Sequence, residues 1–446
     1  MRPRTASHLP IRTSPPGPLF GFGLGVLAIV LLTISPLALV ELGLNYDETG
    51  GTPLEKIHPA TVLASFLVLL AAVSAGNPIT WLEQQVVRHR SLLPYLIVIG
   101  LLIVHSLRVV KLPFTPFFDT AILPLLVFLL YKDMPEGRGR HLAYLVHGLM
   151  FANALLGLGE FASGVRLTPL VAAGVVIEDD WRSTALLGHP LSNASLTGCY
   201  LLAMALGGGR DLPWSARLAA FVVNAGGMIV FGGRAATVLM LLIMLALVGL
   251  HVARILAGRR FSSVSVLKIL MLAPVAGIAI AVLAETGFFD QFLMRFIDDK
   301  GSAEARTEMF QLFNHVPWSE LILGPDARQI ETLRHYYGLD FGIESFWIAY
   351  ILSYGLIASI AFFAALLAFT RDVIISLRPG AAWAFLFFYG VASTSVSLSA
   401  KSPLLGIFTF MMLVLMRRPA QPAATAPSMA AQRLQPRQRL AGLQNG

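Results

Sequence analysis

Charge is scarce in this sequence. Asp, Glu, Lys and Arg make up 13% of its 446 residues, about half the share found in soluble domains. Apolar residues make up 56%, and the mean hydropathy is +0.71. A chain this long and this apolar aggregates in water unless lipid covers it, which excludes a soluble globular enzyme. Cysteine is nearly absent: Cys199 stands alone within an apolar stretch. No intrachain disulfide can form, and no Cys/His cluster offers a zinc site. No repeat of 20–50 residues is visible, and the alternating pattern of a membrane barrel is missing. The net charge of +8 is spread between apolar runs; it reads as a set of topology signals and excludes nucleic acid as a partner.

What is present is a series of long apolar runs. Runs of about 15 to 25 residues give twelve candidate spans, near 18–40, 59–75, 92–110, 117–131, 141–161, 185–207, 216–231, 235–252, 267–285, 344–369, 381–399 and 402–416. Backbone polar groups in lipid need internal partners, so the spans are helices. The predicted fold class is an all-α polytopic membrane domain over 18–416, with retained first helix 18–40 in place of a cleaved signal. The spans near 117–131 and 402–416 are the shortest. The tails 1–17 and 419–446, rich in Pro, Ala, Gln and Arg, read as disordered.

Orientation follows from the basic residues between the spans. With the N-terminus in the cytoplasm, cytoplasmic segments hold 21 of the 33 Lys and Arg residues but only five of the 25 acidic ones. Both termini are then cytoplasmic, in the inner membrane. The long connection 286–343, between spans nine and ten, faces outward, and a connection of this length is usually functional. Phe288, Phe289, Phe292, Leu293, Phe296 and Ile297 repeat at helical spacing and read as a helix at the membrane interface. Ala305, Met309, Leu312 and Phe313 share one face of a second amphipathic stretch.

Several polar residues stand near the outward ends. Arg234, in Phe-Gly-Gly-Arg-Ala-Ala-Thr, sits between spans seven and eight, where its glycines would let a bulky ligand approach. An arginine at the centre of a membrane costs roughly 2.5–3.5 kcal/mol, so such residues face a polar cavity or a partner. Arg306 lies two positions from both Glu304 and Glu308, off their helical face, and is predicted to be free for an anionic ligand. Glu344 begins span ten, where a carboxylate can act as a base, bind sugar hydroxyls, or simply favour a helix N-terminus. Arg328, Arg334, His335 and Asp340 precede it. Upstream, Arg182 and His189 flank the outer end of span six, where helix-start chemistry around Pro190 is the competing explanation. His105, His147, Asn153 and Glu160 read as intramembrane groups that satisfy one another or the backbone.

Over about 180–370 the pattern resembles the O-antigen polymerase and ligase superfamily, more closely its exopolysaccharide-polymerase branch, the VpsF-type polysaccharide biosynthesis proteins. Four features carry the resemblance: Gly188-His189-Pro190 entering a span, Gly232-Gly233-Arg234-Ala235, the Arg306 helix in a long outer loop, and Leu323-Gly324-Pro325 ahead of Glu344-Ser345-Phe346-Trp347 and Tyr354-Gly355-Leu356-Ile357. It implies transfer of a glycan from undecaprenyl pyrophosphate to a sugar hydroxyl, outside the cytoplasmic membrane and with neither metal nor cofactor. It carries functional arginines onto Arg234 and Arg306; Arg182, His189, Arg328, Arg334 and His335 are candidate substrate contacts by their own positions near the outward ends, with a plain loop role the competing reading for His335. Implied partners are the lipid-linked oligosaccharide, membrane lipid, and polysaccharide export or flippase components. Where ligases carry a His-Asn or His-Ser pair, this chain has Glu344-Ser345, so the identity of the base stays open. An O-antigen-type ligase, a transporter or flippase, and a non-catalytic export subunit are the alternatives. No repeated half or long central cytoplasmic loop favours the transporter.

Overall fold

The computed structural model describes residues 17–46, 50–172, 175–178, 180–258, 280–297, 302–340 and 342–418, with 274, 277 and 278. The predicted tails and the first part of span nine lie outside them. The described fold is helical apart from a short antiparallel pairing of Val171–Ala172 with Val175–Val176 and a bridge between Leu377 and Arg417. Four helices are long and apolar enough to cross a membrane: Leu92–Val110, Glu136–Ser163, Arg234–Leu256 and Leu356–Ser376. Pro59–Ser74 and Pro78–Arg88 form a fifth candidate, bent by 107°. Pro18–Thr33, Phe118–Tyr131, Trp214–Val230, Ala381–Ala392 and Leu404–Leu415 are shorter apolar helices. Apolar helices in this number make a multi-pass membrane protein.

Local chemistry sets many of the starts. Proline stands in the first turn of the helices beginning at Pro18, Pro36, Pro59, Pro78 and Pro190, where its missing N–H would have had no partner. Two of these starts are His-Pro pairs. His58 Nδ1 accepts from Ala60 N at 3.2 Å and His189 Nδ1 from Leu191 N at 3.2 Å, so each imidazole caps the helix it precedes. The run 18–40, expected as one span, breaks at Ile34 before a separate helix Pro36–Glu41 capped by Ser35, because Pro36 cannot continue the preceding ladder.

The two shortest predicted spans form the centre of the bundle. All twelve residues of Leu404–Leu415 are buried, and this helix packs closely against Leu123–Tyr131. A helix apolar on every side is one surrounded by protein. Small residues allow the approach: a Cβ on Gly406 would meet Leu123 Cγ at 2.6 Å, and one on Gly198 would meet Phe387 Cζ at 2.2 Å. A polar knot closes one end of the bundle. Asp119, fully buried, accepts from Tyr46 Oη at 2.7 Å, Thr61 Oγ1 at 2.6 Å and His58 N at 3.1 Å.

The predicted outer loop carries its own small core. Met309, Leu312, Val316, Leu321, Ile330, Leu339, Ile343, Ile348 and Leu352 pack together. They come from helices Ser302–Gln311, Trp318–Leu323, Ala327–Tyr336 and Phe346–Tyr354 and from the connections between them. This corrects the predicted span 344–369. Its first part, Phe346–Tyr354, is a separate short helix that places Ile348 and Leu352 in the cap core and Phe346 and Tyr350 in the bundle core, and the membrane-length helix is Leu356–Ser376. The break is Gly355, at φ 85° and ψ 163°, whose absent Cβ would lie 2.4 Å from Gly324 N. Only glycine adopts that backbone at such close approach. Glu344 therefore precedes a separate short helix and does not begin a span.

Gly355→Ala should destabilise the protein by more than about 3 kcal/mol, because strain adds to a backbone clash. Gly338→Ala, at φ 66° with nothing within 4 Å, should cost about 1–2 kcal/mol. Thermal unfolding of both variants in detergent checks this; equal losses would contradict the packing described.

Candidate functional site

The site begins with a buried carboxylate. Glu160, near the end of the Glu136–Ser163 helix, accepts from the backbone N–H groups of Leu167 at 2.8 Å, Thr184 at 2.9 Å and Ala185 at 2.9 Å. Asn153 adds a bond from Leu186 N at 3.0 Å, and its amide reaches Asn193 Oδ1 at 2.9 Å. Ser183 Oγ donates to Gly157 O at 2.6 Å, and Arg166 Nε donates to Arg182 O at 3.0 Å. Residues 166–172 and 180–186 are thereby fixed to the Glu136–Ser163 helix. As expected, Glu160, Asn153 and His105 (Nε2 to Tyr354 O, 2.9 Å) are satisfied by neighbours and backbone, whereas His147 is only half so: Nδ1 lies 2.9 Å from Tyr200 Oη, and its buried Nε2 has no hydrogen-bond partner among the described residues.

This segment presents Arg182. Its guanidinium forms a two-pronged pair with Asp180, Nε to Oδ2 at 2.8 Å and Nη2 to Oδ2 at 2.5 Å, with both side chains about 15% exposed. Burial alone would raise the Asp180 pKa. The hydrogen bonds and charge of Arg182 outweigh that and hold the carboxyl below its ordinary value. The stem of Arg182 and the ring of Trp181 occupy the space beside Gly232, which adopts φ 63°, while Ala194 fills the space beside Gly233. The two glycines thus admit the protein's own side chains. The expected approach of a bulky ligand through them is corrected: the room is already taken.

Arg234 is the first residue of the Arg234–Leu256 helix. Its Nη1 donates to the carbonyl of Arg295, and Arg295 Nη1 donates back to Gly232 O at 2.9 Å. This clasp ties the turn to the amphipathic helix Asp290–Ile297, which Phe288 also anchors against Phe161. Burial lowers the Arg295 pKa to about 10, aided by the charges of Arg182 and Arg234 and opposed by those of Asp180 and Glu344. At neutral pH it remains a cation. Arg306 Nε lies 3.0 Å from Glu344 Oε2, off the N–H axis, so the contact is ionic without a straight hydrogen bond. The expectation of a free Arg306 is corrected. Its partner comes from 38 positions away in sequence, beyond the reach of helical-face reasoning. Among the described residues, Arg182, Arg234, Arg295 and Arg306 thus meet two carboxylates, Asp180 and Glu344, a cationic surplus suited to a polyanion.

His189 caps its helix and lies near enough to Arg182 and Asp180 to feel both charges. The remaining candidates lie elsewhere. On Ala327–Tyr336, Arg334 pairs with Glu331 at 2.8 Å and His335 Nδ1 lies 2.6 Å from Asp340 Oδ1. Arg328 is exposed, and its backbone N–H bonds Asp326 at 2.9 Å. No described contact joins these three to Arg182, Arg234 or Arg295. Arg334 instead borders a cavity of about 370 Å³ with Glu331, Asp340, Ser353 and Ser399. The sequence reading therefore spread one site over three places. It missed Arg295, the lone cation in a phenylalanine-rich helix, and Asp180, the end of an acidic run before Trp181-Arg182. Among the described residues no group of three His, Cys, Asp or Glu side chains could hold a metal ion.

A depressed carboxyl pKa stabilises the folded state above the unfolded value of about 3.9, and this is lost as pH falls through the lower folded value. Asp180→Asn should therefore lower Tm by a constant amount between about pH 5 and 7, and the gap should narrow below about pH 4. A gap independent of pH would remove the ion pair from the account.

No family model, no curated protein and no solved structure matches the chain.

Proposed function

We propose that this protein is a polysaccharide polymerase, which transfers a glycan from a lipid pyrophosphate to a sugar hydroxyl at the outer face of the cytoplasmic membrane. The observation that carries the reading is the meeting of Arg182, Arg234, Arg295 and Arg306, among the described residues, with two carboxylates, Asp180 and Glu344. A pyrophosphate supplies the missing negative charge. The arrangement of twelve spans with both termini cytoplasmic belongs to this proposal. Its support is that contacts join segments assigned to the same side. Arg417 and Arg140 meet Asp211, and Arg88 meets Asp133, among inner segments. Arg234 meets Arg295, and Arg306 meets Glu344, among outer ones.

The chemistry follows from these groups. The acceptor hydroxyl oxygen attacks the anomeric carbon of the donor sugar while the bond from that carbon to the pyrophosphate oxygen breaks. The leaving pyrophosphate keeps the electron pair, and guanidiniums aimed at it stabilise the developing charge by paired hydrogen bonds. Glu344 accepts the hydroxyl proton. In the absence of donor Glu344 is held by Arg306; a phosphate oxygen that takes its place on Arg306 releases the carboxylate for that role. The cap 302–354 stands over the pair and excludes water, which favours transfer over hydrolysis.

Arg234→Lys keeps the charge but loses the planar fork, so it should fail nearly as badly as Arg234→Ala, by about 10²–10³ in rate. Glu344→Gln should fail as well. Glycan chain length in cells at matched protein levels is the measurement. Normal polymerisation by both Arg234→Lys and Glu344→Gln would refute the chemistry and favour a carrier.

A further inference from the structure

A second arginine cluster lies far from the first. Arg140 and Glu160 stand near opposite ends of the Glu136–Ser163 helix, about 30 Å apart at 1.5 Å per residue. Around the Arg140 end, the turn 207–212 between Pro190–Gly208 and Trp214–Val230 gathers cations from four other places. Arg417 Nη2 lies 3.4 Å from both oxygens of Asp211, and Arg140 Nε lies 3.8 Å from one of them. Arg378 Nη1 donates to Gly207 O at 3.2 Å, and Arg217 Nε donates to Gly209 O at 3.0 Å. Arg210 folds back over Gly207.

These five guanidiniums face two carboxylates, Asp211 and Glu136. The imbalance leaves donors unused. Arg378 Nε and Arg417 Nη1 are buried and have no hydrogen-bond partner among the described residues. Burial and the like charges of Arg210 and Arg417 lower the pKa of Arg378. A topology signal needs only cations on one side of the membrane. It does not require five of them, from separate helices, converging on one turn with buried donors empty. Gly139 makes room for the convergence, since a Cβ there would lie 2.5 Å from Arg417 Nη1.

We propose that this cluster binds the phosphate of an anionic phospholipid headgroup, seated among the ends of the Glu136–Ser163, Trp214–Val230 and Leu356–Ser376 helices and the residues that follow Leu404–Leu415. Basic pockets between membrane helices suit such headgroups, and arginine forks bond phosphate oxygens in pairs. The acyl chains then lie along the apolar helix flanks that start at the same level. The inference rests on the membrane embedding and not on the transferase chemistry, so either can fail alone.

Native mass spectrometry of the full-length protein, released from nanodiscs of mixed phosphatidylglycerol and phosphatidylcholine, tests the site. Phosphatidylglycerol should be retained in preference to phosphatidylcholine. Retention should fall about fivefold for each of Arg378→Gln and Arg417→Gln, at unchanged Tm in pure phosphatidylcholine. Arg254→Gln, at an exposed arginine in the last turn of Arg234–Leu256, should have no effect. Asp211→Asn removes a competing anion and should raise retention, a gain that misfolding does not mimic. Equal retention of the two lipids, or an equal loss from Arg254→Gln, would overturn the proposal. Protection of the protein against heat by inorganic phosphate but not by phosphatidylglycerol would assign the site to a soluble anion and overturn it too.

Discussion

A guanidinium beside lipid has to be hydrogen-bonded and electrically paired, since an isolated charge in low dielectric is far costlier than any single contact can offset. In this protein that requirement organises both ends of the bundle. Arg182 is held by Asp180, Arg306 by Glu344, and Arg417 and Arg140 by Asp211, while Arg234, Arg295 and Arg378 rest on backbone carbonyls. Carbonyls orient a cation without neutralising it. Among the described residues each cluster therefore keeps a positive surplus.

The interior makes such clusters possible. Leu404–Leu415 is buried on every side and fixes the helices around it. Glu160 and Asn153, inside the bundle, reach out to hold the backbone of 167–186. Arg182 thus gains its position from a carboxylate one layer further in. The cap is rigid for a different reason: its own apolar core packs against itself, and Gly355 lets its last helix turn sharply into Leu356–Ser376. A glycine with an unusual backbone angle carries the junction between the cap and a helix of membrane length.

Much of this is legible from hydropathy, because apolar runs of membrane length have few alternatives to helix. The positions of Glu136–Ser163 and Arg234–Leu256 lie close to those predicted, as do the two amphipathic stretches of the cap. What hydropathy does not register is depth. The runs 117–131 and 402–416 look weak because they are short, yet short helices suffice where protein replaces lipid on every side. The run 344–369 looks continuous because Phe346–Tyr354 is apolar on two faces, toward the cap core and toward the bundle core, partners that hydropathy treats as lipid. Arg234 and Arg182 stand out as charges at the margins of apolar runs. Arg295 and the Arg306–Glu344 pair depend on chain segments brought together over long separations, which no local pattern encodes, whereas Asp180 stands two positions before Arg182 and is legible locally. His189, singled out by its chemistry, is a helix cap, and the same His-Pro start at His58 and Pro59 makes that role intelligible.

The central claim is that the Arg182–Arg234 cluster grips a lipid pyrophosphate. Titration calorimetry of the purified protein with farnesyl pyrophosphate, a short soluble probe, measures this directly. The account predicts binding at least about tenfold tighter than farnesyl monophosphate, because the second phosphate adds charge-assisted bonds of about 1.5–3 kcal/mol. It also predicts loss of that preference when Arg182 and Arg234 are both changed to Gln. Equal affinity for the two probes, or a preference that survives the double substitution, would contradict it.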